Sequence, residues 1–171
     1  MRALHLMTAG SVDDGKSTLI GRLLYDTRSI YSDQLAELER ISNRSGSALN
    51  LALMTDGLRS ERQGGITIDV GYRYFETPNR KIILADTPGH LEFTANMIAA
   101  ASNAEAAIIL VDASRTITEQ THRHIILSHL MGIRQFIICI NKIDLADYSH
   151  KIFEEFSSRL QPLLDSLSGI S

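Results

Sequence analysis

The sequence lacks a long hydrophobic run, a surplus of basic residues and a second cysteine. Its longest uninterrupted apolar run, 106–111, has six residues, whereas a membrane-spanning helix needs about 20. The single Cys139 cannot form an intrachain disulfide, and it stands in an apolar run that predicts a buried small side chain. With 17 basic against 20 acidic residues and a net charge of -3, no nucleic-acid partner is expected.

The amino terminus also lacks a targeting pattern. It carries one basic residue and a very short apolar stretch interrupted by His5, which is not a secretory signal. We therefore expect a cytoplasmic protein that has no membrane partner. The 171 residues, 44% hydrophobic and 22% charged, suit one globular domain with a buried core.

Apolar residues alternate between short continuous runs and helical spacing, which is typical of an α/β domain. Strands buried on both faces are predicted at 3–7, 81–85, 106–111 and 133–140. Helices are predicted at 16–25, 32–44, 89–101, 117–131 and 150–164. Residues 66–75 alternate apolar and polar and turn through 77–80 into the strand 81–85, which indicates an antiparallel hairpin. The prediction is a mostly parallel sheet with one antiparallel edge strand and helices on both faces.

The first predicted strand runs into a glycine-bearing loop that matches the pattern G-x-x-x-x-G-K-[ST] and precedes a helix. Backbone N–H groups and a helix N-terminus form a concave anion site there, and glycine lets the backbone approach a phosphate without a clashing Cβ. Lys16 adds a positive charge for the outer phosphates, and Ser17 can place its hydroxyl on Mg²⁺. The predicted phosphate-binding residues are Gly10, Ser11, Val12, Asp13, Asp14, Gly15, Lys16, Ser17 and Thr18.

A second loop follows the predicted strand 81–85 and is expected to sense the outermost phosphate. Asp86 stands at the carboxyl end of that strand, where a carboxylate reaches Mg²⁺ directly or through water. Gly89 can offer its backbone N–H to the γ-phosphate. The predicted nucleotide-binding residues of this loop are Asp86, Thr87, Pro88, Gly89 and His90.

The least regular stretch of the sequence, 55–65, ends close to a further candidate metal ligand. Thr67 could supply a second hydroxyl that joins the metal only when a triphosphate is present. Its alternative interpretation is an ordinary β-branched strand residue. The predicted Mg²⁺ ligands are Ser17, Thr67 and Asp86.

A third loop, after the predicted strand 133–140, is expected to recognise the base. Asp144 can accept two hydrogen bonds from the N1–H and the exocyclic amine of guanine, a donor pair that adenine lacks. A buried carboxylate left unpaired by adenine would penalise that base. We expect Asn141 to tie this loop to the phosphate loop and the Lys142 stem to cover one face of the base. The predicted base-binding residues are Asn141, Lys142, Ile143 and Asp144.

In this order the phosphate loop, Gly65–Ile68, Asp86–His90 and Asn141–Asp144 resemble the translation-factor-type GTPases. Segments 10–26, 55–59 and 68–75 look closer still to one branch, the large GTP-binding subunits of bacterial sulfate adenylyltransferases. Elongation factors of the Tu type usually carry histidine where Asp14 stands. The resemblance covers nearly the whole chain and implies a P-loop NTPase G domain.

The resemblance implies a GTPase that uses GTP or GDP with Mg²⁺. In that branch, GTP hydrolysis drives the synthesis of adenylylsulfate from ATP and sulfate on a separate small catalytic subunit, and an adenylylsulfate kinase is fused in some members. His90 and Lys16 match the catalytic residues: His90 orients the attacking water, flanked by Val12 and Ile66, and Lys16 neutralises charge. The alternative for His90 is a residue that only starts a helix.

Two other function classes stay open for the chain. One is a translation-factor-type GTPase, and the other is a regulatory module that binds GTP or GDP without hydrolysing it. Gly64 and the charge lost beside it predict weaker ordering next to Thr67, and Ala95 stands where the family often has an arginine that is a candidate for partner contact. Because no sixth apolar strand follows, we expect residues 1–171 to be one G domain, truncated at its carboxyl end, without the last strand and helix.

Overall fold

The short aliphatic runs of the sequence form the strands of one sheet. The computed structural model describes residues 2–45, 51–54 and 69–167. Within these ranges the strands lie in the order β2-β3-β1-β4-β5, in which β2 and β3 are antiparallel and the other neighbours are parallel. The strands are β1 (Leu4–Ala9), β2 (Gly71–Thr77), β3 (Arg80–Asp86), β4 (Ala106–Asp112) and β5 (Gln135–Asn141). The predicted α/β fold with one antiparallel edge strand is confirmed.

Helices cover both faces of this sheet. They are α1 (Lys16–Asp26), α2 (Ser32–Ser45), α3 (Thr94–Ala101), α4 (Glu119–Leu130) and α5 (His150–Ser166), with short 3₁₀ helices at Leu51–Met54, Leu91–Phe93 and Ile143–Ala146. Along β4 alternate residues point to opposite faces: Ile108 packs with α1 residues, and Ile109 packs with residues of α3, α4 and α5. No helix in the described ranges is long and apolar enough to cross a membrane.

The hairpin is shorter at its start than the sequence predicts. Asp69 and Val70 precede β2, where the Val70 N–H donates to the Asp69 carboxylate at 2.7 Å, and residues 66–68 lie outside the described ranges. At the other end, Thr77 pairs with Arg80 around the two-residue turn at 78–79. The Thr77 hydroxyl fixes that turn, because it accepts from the Arg80 N–H at 3.1 Å.

Two other boundaries differ from prediction for local chemical reasons. The helix expected from 89 starts only at Thr94, since the Phe93 N–H donates to the His90 carbonyl in a 3₁₀ turn instead of reaching back to Gly89. The strand expected from 133 starts at Gln135, because Ile133 lies in the turn that closes α4, where its N–H donates to the Ser128 carbonyl.

The environment of Cys139 also differs from the sequence prediction. Its thiol is half-buried rather than buried, and it packs at the margin of the apolar cluster under α1. Burial raises the pKa of the Cys139 thiol. The side chain therefore behaves as a partly covered hydrophobe on β5, an edge strand among the described residues.

The parallel register brings four strand ends to one edge of the sheet. Thr8 of β1 pairs with Asp86 of β3, and Asp112 of β4 pairs with Asn141 of β5. The loops that follow these four strands consequently emerge side by side, at the edge where open α/β sheets bind ligands.

Candidate functional site

The phosphate loop that follows β1 is held in shape by its own polar groups. The Ser11 N–H donates to the Asp14 carboxylate at 2.6 Å, and the Asp14 N–H donates back to the Ser11 carbonyl at 3.3 Å. Gly15 has a φ of 96°, and a Cβ there would collide with the side-chain amide of Asn141. Only glycine fits this position, because it needs both a left-handed backbone and the space beside Asn141.

The Lys16 side chain curls into the phosphate loop. It is 7% exposed, and its Nζ donates to the carbonyls of Gly10 and Ser11, both at 2.9 Å. Burial lowers the pKa of Lys16, while the negative charges of Asp86 and Asp14 oppose that shift. The ammonium is therefore presented inside the loop, where it can meet phosphate oxygens.

Asp14 and Asn141 join the phosphate loop to the base loop. The Asn141 side-chain amide donates to the Asp14 carbonyl at 2.8 Å. Burial raises the pKa of the Asp14 carboxyl, and the Ser11 N–H and the Lys16 charge pull it in the opposite direction. The two loops thus share one hydrogen-bonded corner at the ends of β1 and β5.

The loop after β3 packs directly on the phosphate loop. Asp86 is 2% exposed at the strand end, and the Thr87 hydroxyl donates to the Thr8 carbonyl of β1 at 2.6 Å. A Cβ on Gly89 would lie 2.6 Å from the Lys16 Nζ and 3.0 Å from the Gly10 carbonyl oxygen. The Gly89 backbone can come this close to the loop only because it has no side chain.

The first turn of α4 contacts both loops, through residues that the sequence reasoning did not single out. Thr118 caps α4 by accepting from the Thr121 N–H, and its hydroxyl lies 3.0 Å from the Ser11 hydroxyl. The Gln120 side-chain amide donates to the Gly89 carbonyl. A threonine just before a helical pattern signals such a cap, but the contact of Gln120 with Gly89 depends on the tertiary fold.

Asp112, at the carboxyl end of β4, is a second residue that the sequence reasoning missed. It is 3% exposed, and its carboxylate binds the Lys142 ammonium at 2.8 Å and the Ser114 hydroxyl at 2.6 Å. Its position after a buried apolar run is the signal that could have found it, because it resembles Asp86 in that respect.

The remaining predicted residues are placed as follows. Ser17 lies half-buried in the first turn of α1, Thr18 and Asp144 are exposed, and the His90 ring meets Phe93 edge to face at 6.2 Å between centroids. Thr67, Ile66 and Gly64 lie outside the described residues. Ala95 is exposed on α3.

The described residues contain no group of three or more histidine, cysteine, aspartate or glutamate side chains that could hold a metal. Mg²⁺ does not need such a cage, since it usually takes one or two protein ligands together with phosphate oxygens and water. The hydroxyl of Ser17 and the carboxylate of Asp86 fit that hard, oxygen-based chemistry.

A site for a nucleoside triphosphate requires a backbone loop around a positive charge and a glycine that approaches it from a neighbouring strand end. The phosphate loop around Lys16 and the nearby Gly89 have this arrangement. Residues 1–167 match the family described as the elongation factor Tu GTP binding domain. The chain belongs to this family. The predicted resemblance to translation-factor-type GTPases is thereby confirmed. The family is one of GTP-binding domains, as the sequence also predicts.

Relatives of this elongation factor Tu-type domain include two bacterial proteins named sulfate adenylyltransferase subunit 1. The protein of Vibrio atlanticus is 52% identical over 97% of this chain and 36% of its own length, and that of Tolumonas auensis is 55% identical over 98% and 35%. The chain spans about a third of the length of these relatives. The predicted likeness to the sulfate adenylyltransferase branch is confirmed.

Solved structures agree on the fold. A bacterial selenocysteine-specific elongation factor matches with a TM-score of 0.71 and 26% identity over 99% of this chain and 24% of its own. The GTPase-like domain of Ski7 from S. cerevisiae, in a structure bound to GTP, matches with a TM-score of 0.75 and 24% identity over 95% of this chain and 39% of its own. At 24% identity, the similarity to Ski7 shows the fold alone.

His124 gives this elongation factor Tu-type domain a specific sensitivity to acid. It lies on α4 and is 4% exposed, and its Nδ1 has no hydrogen-bond partner among the described residues. Burial, together with the charges of Lys16 and Arg123, lowers the pKa of His124 from 6.5 to about 4. Between these two values the unfolded chain takes up the proton and the folded chain does not, so acid destabilises the fold.

We expect the free energy of unfolding to fall as the pH drops from 6.5 to 4, with a contribution of about 3 kcal/mol from His124. Urea unfolding of wild type and His124→Gln across this range measures it, because the variant should show a flatter pH dependence. His150→Gln, on the exposed start of α5, is the matched control and should run parallel to wild type. Parallel curves for wild type and His124→Gln would refute the assignment.

Proposed function

We propose that this chain is the GTPase domain of a longer sulfate adenylyltransferase subunit 1. It binds GTP with Mg²⁺, hydrolyses it, and thereby drives the formation of adenylylsulfate from ATP and sulfate on a partner small catalytic subunit. The observation that carries the proposal is the contact of Gly89 with Lys16, because it sets the γ-phosphate-sensing loop against the phosphate loop in a chain of this family.

Residues 10–18 bind the phosphates in this proposal. The loop N–H groups that are not bonded within the loop and the N-terminus of α1 face the anion, and Lys16 neutralises the β- and γ-phosphate oxygens. The Gly10 and Ser11 carbonyls take two of the three Lys16 N–H donors, and the third can meet a phosphate oxygen when GTP is bound. The two carbonyls hold the ammonium in place beforehand, so little reorganisation is needed.

Ser17, Thr67 and Asp86 would hold Mg²⁺ together with phosphate oxygens. The ion supplies charge neutralisation at the β- and γ-phosphates when it is bound. Asp86 suits the role because it is buried at a strand end, next to the loop that carries Gly89. The Thr87 hydroxyl, bonded to Thr8 of β1, keeps that loop anchored to the sheet.

Residues 141–144 read the base. Asp144 accepts from guanine N1–H and its amine, the Lys142 stem covers one face of the ring, and Ile143 continues the loop in the 3₁₀ helix. Asn141 transmits the position of this loop to the phosphate loop through the Asp14 carbonyl. The exposure of Asp144 is consistent with a side chain that meets a ligand from solvent.

Hydrolysis proceeds by in-line attack of a water molecule on the γ-phosphorus. The bond between the γ-phosphorus and the bridging oxygen breaks, the products are GDP and inorganic phosphate, and the proton of the water passes to phosphate oxygen or solvent. His90 follows Gly89 and orients the water, between Val12 and Ile66. Lys16 and the loop N–H groups stabilise the charge that develops on the phosphate oxygens.

The energy of hydrolysis reaches the partner through loop movement. Thr67 and Asp86 contact the γ-phosphate or its metal only while GTP is intact, so their loops order with GTP and release after hydrolysis. We expect the coupled reaction to take place in the cytoplasm. A fused adenylylsulfate kinase in the longer protein is compatible with the proposal. Ala95 is exposed on α3 at the position where the family often has an arginine. One candidate positive charge is therefore absent from the surface proposed to meet the partner.

A translation-factor-type GTPase is the second candidate function. The observation in its favour is the fold likeness to a bacterial selenocysteine-specific elongation factor over 99% of this chain. The higher identity, 52% to 55%, to sulfate adenylyltransferase subunit 1 proteins favours the first proposal. A regulatory module that binds without turnover is the third candidate, and single-turnover hydrolysis distinguishes it from the other two.

We expect His90→Ala to keep its affinity for GTP and to lose turnover by a factor of about 100 or more, because it removes the group that orients water and leaves the phosphate contacts intact. Single-turnover hydrolysis and equilibrium binding of a GTP analogue measure the two effects separately. His150→Ala is the matched control. Unchanged turnover in His90→Ala would remove His90 from the mechanism.

GTP hydrolysis and adenylylsulfate formation should accelerate each other when the full-length protein is mixed with its small subunit, ATP and sulfate. Both products are followed in one reaction, with ATP or sulfate omitted as controls. If the small subunit does not change the rate of GTP turnover but ribosomes accelerate it, the protein is a translation-factor-type GTPase. The absence of any single-turnover hydrolysis would leave the regulatory module.

A further inference from the structure

We propose that Asp112 is a positioning residue for guanine-nucleotide binding, which fixes the base loop by holding the Lys142 ammonium. The inference rests on the proposed function, since it concerns the same nucleotide site. Asp112 lies outside the three loops that the sequence pattern assigns to the nucleotide, and its role follows from contacts that form only in the folded chain.

Both carboxylate oxygens of Asp112 are used inside the structure. Oδ2 lies 2.8 Å from the Lys142 Nζ, and Oδ1 accepts from the Ser114 N–H at 2.8 Å and from its hydroxyl at 2.6 Å. The Asp112 side chain is 2% exposed and the Lys142 side chain 29%. The carboxylate is therefore locked by Ser114 and offers Lys142 a fixed anchor instead of a mobile surface charge.

Lys142 needs such an anchor because its backbone is in an unusual conformation. Its φ of 56° and ψ of 32° are left-handed, and it caps the 3₁₀ helix that carries Asp144. Residues with a Cβ occupy this region rarely, and they stay there only where the surroundings hold them. A second bond supports the same corner, since the Ala113 N–H donates to the Asn141 carbonyl at 2.8 Å.

The charges around Asp112 favour this pairing at neutral pH. Burial by itself raises the pKa of Asp112, but the hydrogen bonds from Lys142 and Ser114 outweigh burial and hold the pKa below its usual value. Arg115 adds a weaker contact, with its Nε 3.6 Å from Oδ2 and its side chain 54% exposed. Asp112 and Lys142 therefore pair as ions, and a variant that neutralises either one frees the other.

The pair acts on nucleotide binding and not on the chemical step. It lies where the base loop leaves β5, whereas Gly89 and Lys16, the residues proposed to meet the γ-phosphate, follow β3 and β1. A Lys142 side chain that is no longer held would cover the face of the base less well. The affinity for GTP and for GDP would then fall alike. Turnover at saturating GTP should stay unchanged, which a general loss of folding would not produce.

The test uses the full-length protein and a fluorescent GDP analogue whose dissociation is followed after rapid mixing with excess GDP. Asp112→Asn keeps the size of the side chain and removes its charge, so we expect dissociation to accelerate about tenfold or more, with kcat for GTP within about twofold of wild type. Arg115→Gln, which also contacts Asp112 but from an exposed position, is the matched control and should stay within about twofold for both.

Lys142→Met supplies the second variant, because it removes the ammonium and keeps an apolar stem. In this background Asp112→Asn should add little, since its partner is already absent. If Asp112→Asn does not fold, Lys142→Met alone should still accelerate dissociation, and unaltered dissociation in Lys142→Met would then overturn the inference.

Three results would contradict the inference: dissociation within about twofold of wild type in Asp112→Asn, fully additive effects in the double variant, or a parallel loss of kcat. All three presuppose a wild-type protein that binds guanine nucleotides. A wild type that binds none would instead refute the proposed function, and the inference with it, so the two failures can be told apart.

Discussion

The buried ammonium of Lys16 is the charge on which the arrangement of the site depends. A charge out of water is costly unless oxygen atoms surround it, and here two carbonyls of the phosphate loop accept from it while Asp86 and Asp14 supply negative charge nearby. Because Gly89 packs against the same ammonium, the loop after β3 is tied to the loop after β1. The neutral state of His124, in the core beneath, follows in part from the same charge.

The carboxyl ends of the four neighbouring strands β3, β1, β4 and β5 contribute different parts of the site. The ends of β1 and β3 meet at Lys16, and the ends of β4 and β5 meet at Asp112 and Lys142. Asn141 connects the two halves through the Asp14 carbonyl, and the first turn of α4 contacts both Ser11 and Gly89. Short, direct contacts therefore connect the phosphate side with both the base loop and α4.

Much of this could be predicted from the sequence, because the phosphate loop and the other two nucleotide loops are local patterns whose chemistry demands particular residues. The mostly parallel sheet followed from the apolar runs, and its antiparallel edge strand followed from a hairpin that turns through 77–80. The order of the strands was not predicted. The sequence did not predict Gln120, Asp112 or the buried state of His124, since each acquires its meaning from residues distant in the chain. The start of α3 at Thr94 was missed because a 3₁₀ turn at Leu91–Phe93 replaces the first helical turn.

The most direct test of the central claim, that the three loops form one guanine-specific nucleotide site, is a titration of the protein with GTP, GDP and ATP in the presence of Mg²⁺ under identical conditions. We expect saturable binding of GTP and GDP at one site, tighter than that of ATP by about a thousandfold or more, since Asp144 would face an adenine that cannot donate to it. Equal affinity for ATP and GTP, or binding of neither, would contradict it.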